Sequence, residues 1–240
     1  MIAHRAGQVP GVVFALICVT LMWRSPDVAA AQRRAEWSAS AEAAFLTREE
    51  LAVWKTLRAE EDRERFKGEY WQRRDPTPDT ERNEFRETIL ARIRTADGRF
   101  ALGKKPGSQT PRGLVFVVLG APSAERQTLG PLKSSPDMIA PGKMGLPNEA
   151  FDTTEWHTWV YDRSTASQLL NILDGPLAEV SFIVEPGRSD RIQNGDMFER
   201  WKEKVARRSI VNPAAMRDEP GLAGVAAEQA AMLDTINIAA

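Results

Sequence analysis

The chain has 240 residues, with 32 Lys and Arg against 33 Asp and Glu, a formal net charge of −1, and a single cysteine. That balance leaves no basic stripe of the kind a nucleic-acid surface needs. The length suits one domain with a tail, and it does not require several.

The N-terminus reads as an export signal. His4 and Arg5 open a short positive region, Gly11 to Trp23 form an apolar run, and Ala29 to Ala31 supply small residues for cleavage before Gln32. The apolar run is shorter than the roughly 20 residues a membrane span requires. Cys18 lies inside that run and is expected to leave with it. The mature chain then has no disulfide, no thiol nucleophile and no cysteine-ligated zinc. The expected organisation is a signal peptide over 1–31, a linker over 32–44, an α+β domain over 45–210 and an Ala-rich tail over 211–240 that forms a weak helix or stays loose beyond Pro213.

In chain order, the first helix is expected to start at Thr47. Thr47 and Glu50 have capping-box spacing, and Leu46 and Leu51 stand where a hydrophobic staple would place them. A charged helix follows over about 59–73, with Phe66 and Tyr70 on one face. The run "RDPTPD" must turn, because Asp75 and Thr77 each precede a proline. Thr77 then reads as the cap of a third helix with Pro78 at its first position, running to about Leu102. Phe85, Ile89, Ile93, Ala96 and Phe100 form its apolar stripe, and Gly103 is a candidate C-terminal cap.

"GLVFVVLGAP", Gly113 to Pro122, reads as a central strand because it is apolar on both faces. A long Gly- and Pro-rich connection is expected over 123–153. Glu155 to Asp162 and Ala178 to Pro186 read as strands, and 166–173 fits either a strand or a short helix, with a strand favoured. A closing helix spans about 195–209, with Asp196 and Glu199 as a box-like start and Phe198, Trp201 and Val205 as its apolar face. The expected fold class is α+β, with an N-terminal helical layer packed on a small, mainly antiparallel sheet and a C-terminal helix.

Several of these segments together resemble the GWxTD-domain family of exported bacterial proteins. The likeness runs from about Phe45 to Val184. It rests most on Trp71, Arg74, Asp75, Pro76, Pro78, Thr80, Asn83 and Glu84, and next on Arg112, Gly113, Gly120 and Pro122. The naming motif is degenerate: the chain reads "GSQTP", with Gly107 and Thr110 in place but Ser108 for the Trp and Pro111 for the Asp. The resemblance implies an architecture and an envelope address, and it implies no reaction.

Candidate binding residues are Trp71, Arg74, Asp75, Asn83, Glu84, Arg112, Trp156 and Trp159. Asp75 and Glu84 could form a carboxylate acid/base pair acting on envelope glycan or peptide polymers. The same polar residues can instead fasten a turn, with Asp75 on backbone amides, Arg74 on Glu84 and Asn83 tying loop to helix. His157, on a strand between Trp156 and Trp159, would have to serve any Ser–His–Asp arrangement. Trp156, Trp159, Tyr161 and Phe182 offer either an aromatic platform or core packing. No cofactor motif, phosphate loop or metal-ligand spacing is present. The expected partner is an envelope protein or polymer, met most economically at an open sheet edge.

Overall fold

A computed structural model describes residues 37–130, 154–185, 189–216 and 221–239. The expected signal peptide and the 131–153 part of the expected connection lie outside the described residues. The architecture is α+β, with helices preceding a four-stranded antiparallel sheet.

Helix α1 spans Arg48–Thr56. Its start is the expected capping box: the Glu50 amide donates to Thr47 Oγ1 at 3.2 Å and the Thr47 amide donates to Glu50 Oε2 at 3.0 Å. Helix α2 covers Glu60–Gln72 and buries Phe66, Tyr70 and Trp71. Just ahead of α1, a 3-10 turn over Ala41–Phe45 buries three alanines and Phe45. Residues 41–44, expected as linker, are therefore part of the packed structure. Trp37 adds a 4.5 Å ring contact with Trp54.

Helix α3 runs Glu84–Phe100. It starts six residues later than the sequence suggested, and Asn83, not Thr77, is its cap, accepting the Arg86 amide at 2.8 Å. Residues 77–80 form a separate turn closed by the Thr80 amide on the Thr77 carbonyl. The first apolar residue of the stripe is Phe85, so no side chain over 78–84 draws that turn onto the core as helix. The stripe itself forms as expected, with Ile89, Ala96 and Phe100 buried. Gly103 is not the helix cap. It sits at φ +58° in a tight reversal where Leu102 and Lys105 exchange backbone hydrogen bonds.

The largest correction concerns the apolar run after Gly113. It is helix α4, Pro111–Leu119, and not a strand. Thr110 caps it by accepting the Gly113 amide, and Pro111 takes the first position, where a missing N–H costs nothing. Five consecutive residues, Val115 to Leu119, are buried. A helix enclosed on every side shows no periodicity, so it looks like a central strand in sequence. Gly120 ends it at φ +86°.

Strand β1, Ala124–Gly130, occupies the first part of the segment expected as loop. It pairs with β2, Thr154–Tyr161, which pairs with β3, Ala178–Glu185, and then β4, Ser189–Ile192. Between β2 and β3 lies helix α5, Ser167–Leu173, the short helix that the sequence left open beside the favoured strand. Leu170 and Leu173 are its buried residues, a three-residue interval that fits a helix and not alternation. Trp159, Tyr161, Val180, Phe182 and Val184 bury one sheet face. Phe100 of α3 and Phe116 of α4 reach that face, with ring centroids 5.4 and 6.4 Å from Trp159.

Helix α6, Gly195–Arg208, buries Phe198, Val205 and Ala206. Asn194, and not Asp196, occupies its cap position, and no side chain caps it. Met216, Leu222, Val225 and Ala226 are also buried. The segment expected as a tail is thus anchored to the core, and it carries helix α7, Ala223–Ala239. No helix among the described residues is long and apolar enough to cross a membrane.

Candidate functional site

The short motifs singled out in the sequence converge on two structural knots. The first knot is a buried ionic cluster. Glu50, Arg73 and Arg74 are all fully buried. Glu50 is placed by its own capping role at the third position of α1, while Arg73 and Arg74 leave the end of α2.

Arg74 spends every donor it has. Nη1 donates to Glu50 Oε1 and to the Tyr70 carbonyl, each at 3.0 Å. Nη2 donates to Glu50 Oε2 at 2.6 Å and to the Phe45 carbonyl at 2.5 Å. Nε donates to Ser209 Oγ at 3.0 Å. A guanidinium has five N–H donors, and all five have partners here. Its plane also lies 4.1 Å from the Tyr70 ring centroid. Arg73 adds a bond to Glu50 Oε1 at 3.2 Å and one to Glu69 at 3.1 Å. Its carbonyl accepts the Val211 and Asn212 amides, which ties the C-terminal segment to the same point.

Burial pushes the Glu50 carboxyl up. The charge and hydrogen bonds of Arg74, the Thr47 amide and the charge of Arg73 outweigh that and hold it below the usual carboxylate range. Burial likewise pushes the Arg74 guanidinium down, and the Glu50 carboxylate more than restores it. The partner of Arg74 is therefore Glu50, and not Glu84 as the turn reading supposed. A carboxylate from α1 reaches the guanidinium first and from within the core.

The rest of the Trp71–Glu84 run fastens the bend. The Thr77 amide donates to Asp75 Oδ1 at 3.0 Å. Asn83 Nδ2 donates to the Trp71 carbonyl at 2.8 Å while its Oδ1 caps α3. Thr77 Oγ1 donates to Glu84 Oε2 at 2.6 Å, and that hydroxyl holds the Glu84 carboxyl below its usual range. Glu84 is thereby kept ionised, the wrong state for a general acid near neutral pH. Asp75 and Glu84 are half-exposed, and neither lines the cavities described below. Trp71 packs against Tyr70 and Phe85, at 4.9 and 6.4 Å between centroids.

The second knot is the degenerate "GSQTP" motif with the Arg112–Gly113 pair after it. A Cβ on Gly107 would lie 1.9 Å from the Ala96 carbonyl oxygen, and one on Gly113 would lie 1.8 Å from the Gly107 carbonyl oxygen. Both glycines are required for backbone to touch backbone. Thr110 Oγ1 donates to the Gly107 carbonyl at 2.7 Å, and the Ser108 amide donates to Asp97 Oδ1 at 2.8 Å. Gly107 and Thr110 thus suffice to build the turn. Arg112 is not an open binding group either: its Nε and its amide both donate to Asp190 Oδ2, joining α4 to β4.

On the sheet, Trp159 is core and not platform, 4.9 Å from the Phe182 ring. Alternation sends Trp156 to the opposite face, where it is half-buried. The expected platform is divided between two faces. His157 is buried beside Phe182 in the register and lies 3.2 Å from Glu155 Oε2. Among the described residues, no group of three His, Cys, Asp or Glu is placed to hold a metal.

What the sequence reading missed is Arg92, on α3. It lines a cavity of about 550 Å³ with Gly120, Ser123, Thr165 and Gln168, and it also lines a more apolar groove of about 340 Å³ with Phe85, Leu119, Leu169 and Ile172. Its Nη1 donates to the Val117 and Val118 carbonyls at 3.0 and 3.4 Å. No carboxylate pairs with it among the described residues. Burial lowers its affinity for its proton. Arginine in the middle of an exposed-looking helix gives no sign of this in sequence.

Comparison of the chain with protein-family models, with curated proteins and with solved structures finds no match.

Proposed function

We propose that the chain is an exported binding or assembly module of the periplasm or cell envelope, and that it engages an envelope protein by strand addition at the outer edge of β1. The observation that carries this reading is the state of that edge. β1 is in register with β2 over its whole length, Ala124 opposite Val160 to Gly130 opposite Thr154, and no strand lies beyond it among the described residues. Edge strands are commonly blunted by charged side chains, lysine above all, by proline or by brevity. β1 has seven residues without Lys or Pro; its two charges, Glu125 and Arg126, are paired inside the fold with Arg99 and Glu179, and Leu129 near its end is 73% exposed. An extended partner segment could add its backbone hydrogen bonds there.

The leader-like N-terminus supports export, and the resemblance to GWxTD-domain proteins supports an envelope address. The commitment of Asp75, Glu84, Arg74 and Arg112 to internal partners favours a binding role over acid/base hydrolysis.

Affinity capture from envelope extract tests the reading, using the wild-type chain, Leu129→Lys and Asp75→Ala. The wild-type and Asp75→Ala chains should retain the same protein, and Leu129→Lys should lose it. The β1 amides should gain protection from hydrogen exchange in the complex. Equal capture by Leu129→Lys overturns the edge reading. Release of soluble fragments from peptidoglycan or polysaccharide, abolished by Asp75→Ala, would replace it with the hydrolase.

A further inference from the structure

We propose that the paired cavities at Arg92 form a binding site for a small amphipathic carboxylic acid, its carboxylate held by the Nε/Nη2 edge of Arg92 and its apolar body lying in the groove along Phe85, Leu119, Leu169 and Ile172. The site is separate from the β1 edge and does not rest on it.

Arg92 is oriented before any ligand arrives. Its Nη1 is fixed on the last carbonyls of α4, at Val117 and Val118, where a cation is also favoured by the helix dipole. That leaves Nε and Nη2, which make no hydrogen bond among the described residues. These two atoms form the fork that accepts a carboxylate through two parallel bonds.

Gly120 lies over the face of the same guanidinium. A Cβ built there would lie 3.1 Å from Nη2, 3.2 Å from Cζ and 3.7 Å from Nε, and the residue's φ of +86° disfavours any side chain. Glycine therefore keeps the guanidinium face clear and leaves the Nε/Nη2 edge to the cavity. Ser123 and Thr165, whose hydroxyls bond each other, line the same cavity, and Gln168 adds an amide to it.

Charge decides the ligand class. Neither cavity has an Asp or Glu among its lining residues, whereas Arg92 lines both and Arg208 lines the groove. Arg74 also borders the groove, but its donors are all spent. A half-buried guanidinium without a counter-charge is costly, and an anion supplied from outside relieves it. The groove wall beyond is aromatic and aliphatic, so the anion should carry an apolar body. The two volumes, about 550 and 340 Å³, lie in the range of small-ligand sites.

The test is calorimetric titration of the full chain with octanoate, 1-octanol and acetate. Octanoate should bind, with the alcohol and acetate each weaker by about tenfold or more, because one lacks the charge and the other the apolar body. Arg92→Gln should lose octanoate binding. Because Arg92 also braces α4, a second variant avoids the question of folding: Gln168→Glu places a competing carboxylate on an exposed position that lines both cavities. It should keep the wild-type Tm and weaken octanoate by about tenfold. Leu129→Lys should leave octanoate binding unchanged. Equal binding of octanoate and octanol, absence of octanoate binding, or wild-type affinity in Gln168→Glu overturns the proposal. A free peptide C-terminus that binds at Arg92 where octanoate does not overturns it in favour of chain-end recognition.

Discussion

Arg74 and Arg92 are the same residue type in neighbouring parts of one fold, and both border the apolar groove. Arg74 is sealed, with five donors on five acceptors and a carboxylate, Glu50, built for it at the start of α1. Arg92 has two backbone carbonyls and no carboxylate partner among the described residues. Burial alone does not distinguish the two arginines. What distinguishes them is whether the fold itself supplies the counter-charge.

The contrast is tested most severely at Glu50. Glu50→Ala strands two buried guanidinium groups, and breaking a buried pair in this way typically costs about 3–5 kcal/mol. Chemical denaturation should show a loss of that order. The carboxyl is held low in the folded state, so its contribution is fully present above the unfolded value of about 4.3 and is lost as pH falls through the lower folded value. Wild-type stability should therefore fall steeply in acid below about pH 4.3. Glu50→Gln, which cannot titrate, should be less stable at neutral pH and show a flatter acid limb. A limb of unchanged slope in Glu50→Gln would mean that the cluster is not what acid breaks.

The next effect in size is at Gly107. Gly107→Ala presses a methyl group onto the Ala96 carbonyl, a backbone atom that cannot swing aside. A cost of about 2–3 kcal/mol is expected from the forced shift of α3 against the 107–110 turn. Ser108→Ala, in which the amide to Asp97 is untouched, should cost far less. Similar losses for the two would show that the close backbone approach is not the reason for the glycine.

Much of the helical layer and half of the sheet were legible because their signals are local. The Thr47–Glu50 box, the Phe85–Phe100 stripe and the alternation in β2 each lie within a few residues. The misreadings share one cause. The chain contains Thr-Pro twice, at 77–78 and at 110–111. Only the second starts a helix, because after Arg112 and Gly113 the residues Leu114 to Leu119 are drawn against the core, whereas the first is followed by Asp79, Thr80 and Glu81. Local capping chemistry permits a start, and burial decides which start is used. Helix α5 stayed ambiguous with a strand for a related reason, a short apolar run without periodicity to spare. The pairing of Arg74 with Glu50 spans 24 residues, and the open state of Arg92 depends on what three other segments do not place beside it. Neither is written in any short window of sequence.

The smallest expected effect concerns Asp75, and it bears on whether this polar run is fastening or chemistry. The Asp75 side chain makes one described hydrogen bond, accepting the Thr77 amide, at a half-exposed position. Replacing it with alanine removes one bond that water can partly replace, so a loss of about 0.5–1.5 kcal/mol is expected. Asn83→Ala should cost at least as much, because it removes both the cap of α3 and the link to the Trp71 carbonyl. Bonds whose role is to hold the bend should also show partial non-additivity in the double variant, since Asp75 and Asn83 brace the two ends of one turn. Simple additivity, together with a Tm for Asp75→Ala equal to wild type, would show that the aspartate does not brace the turn. The carboxylate would then have to be explained by something that binds it from outside the turn.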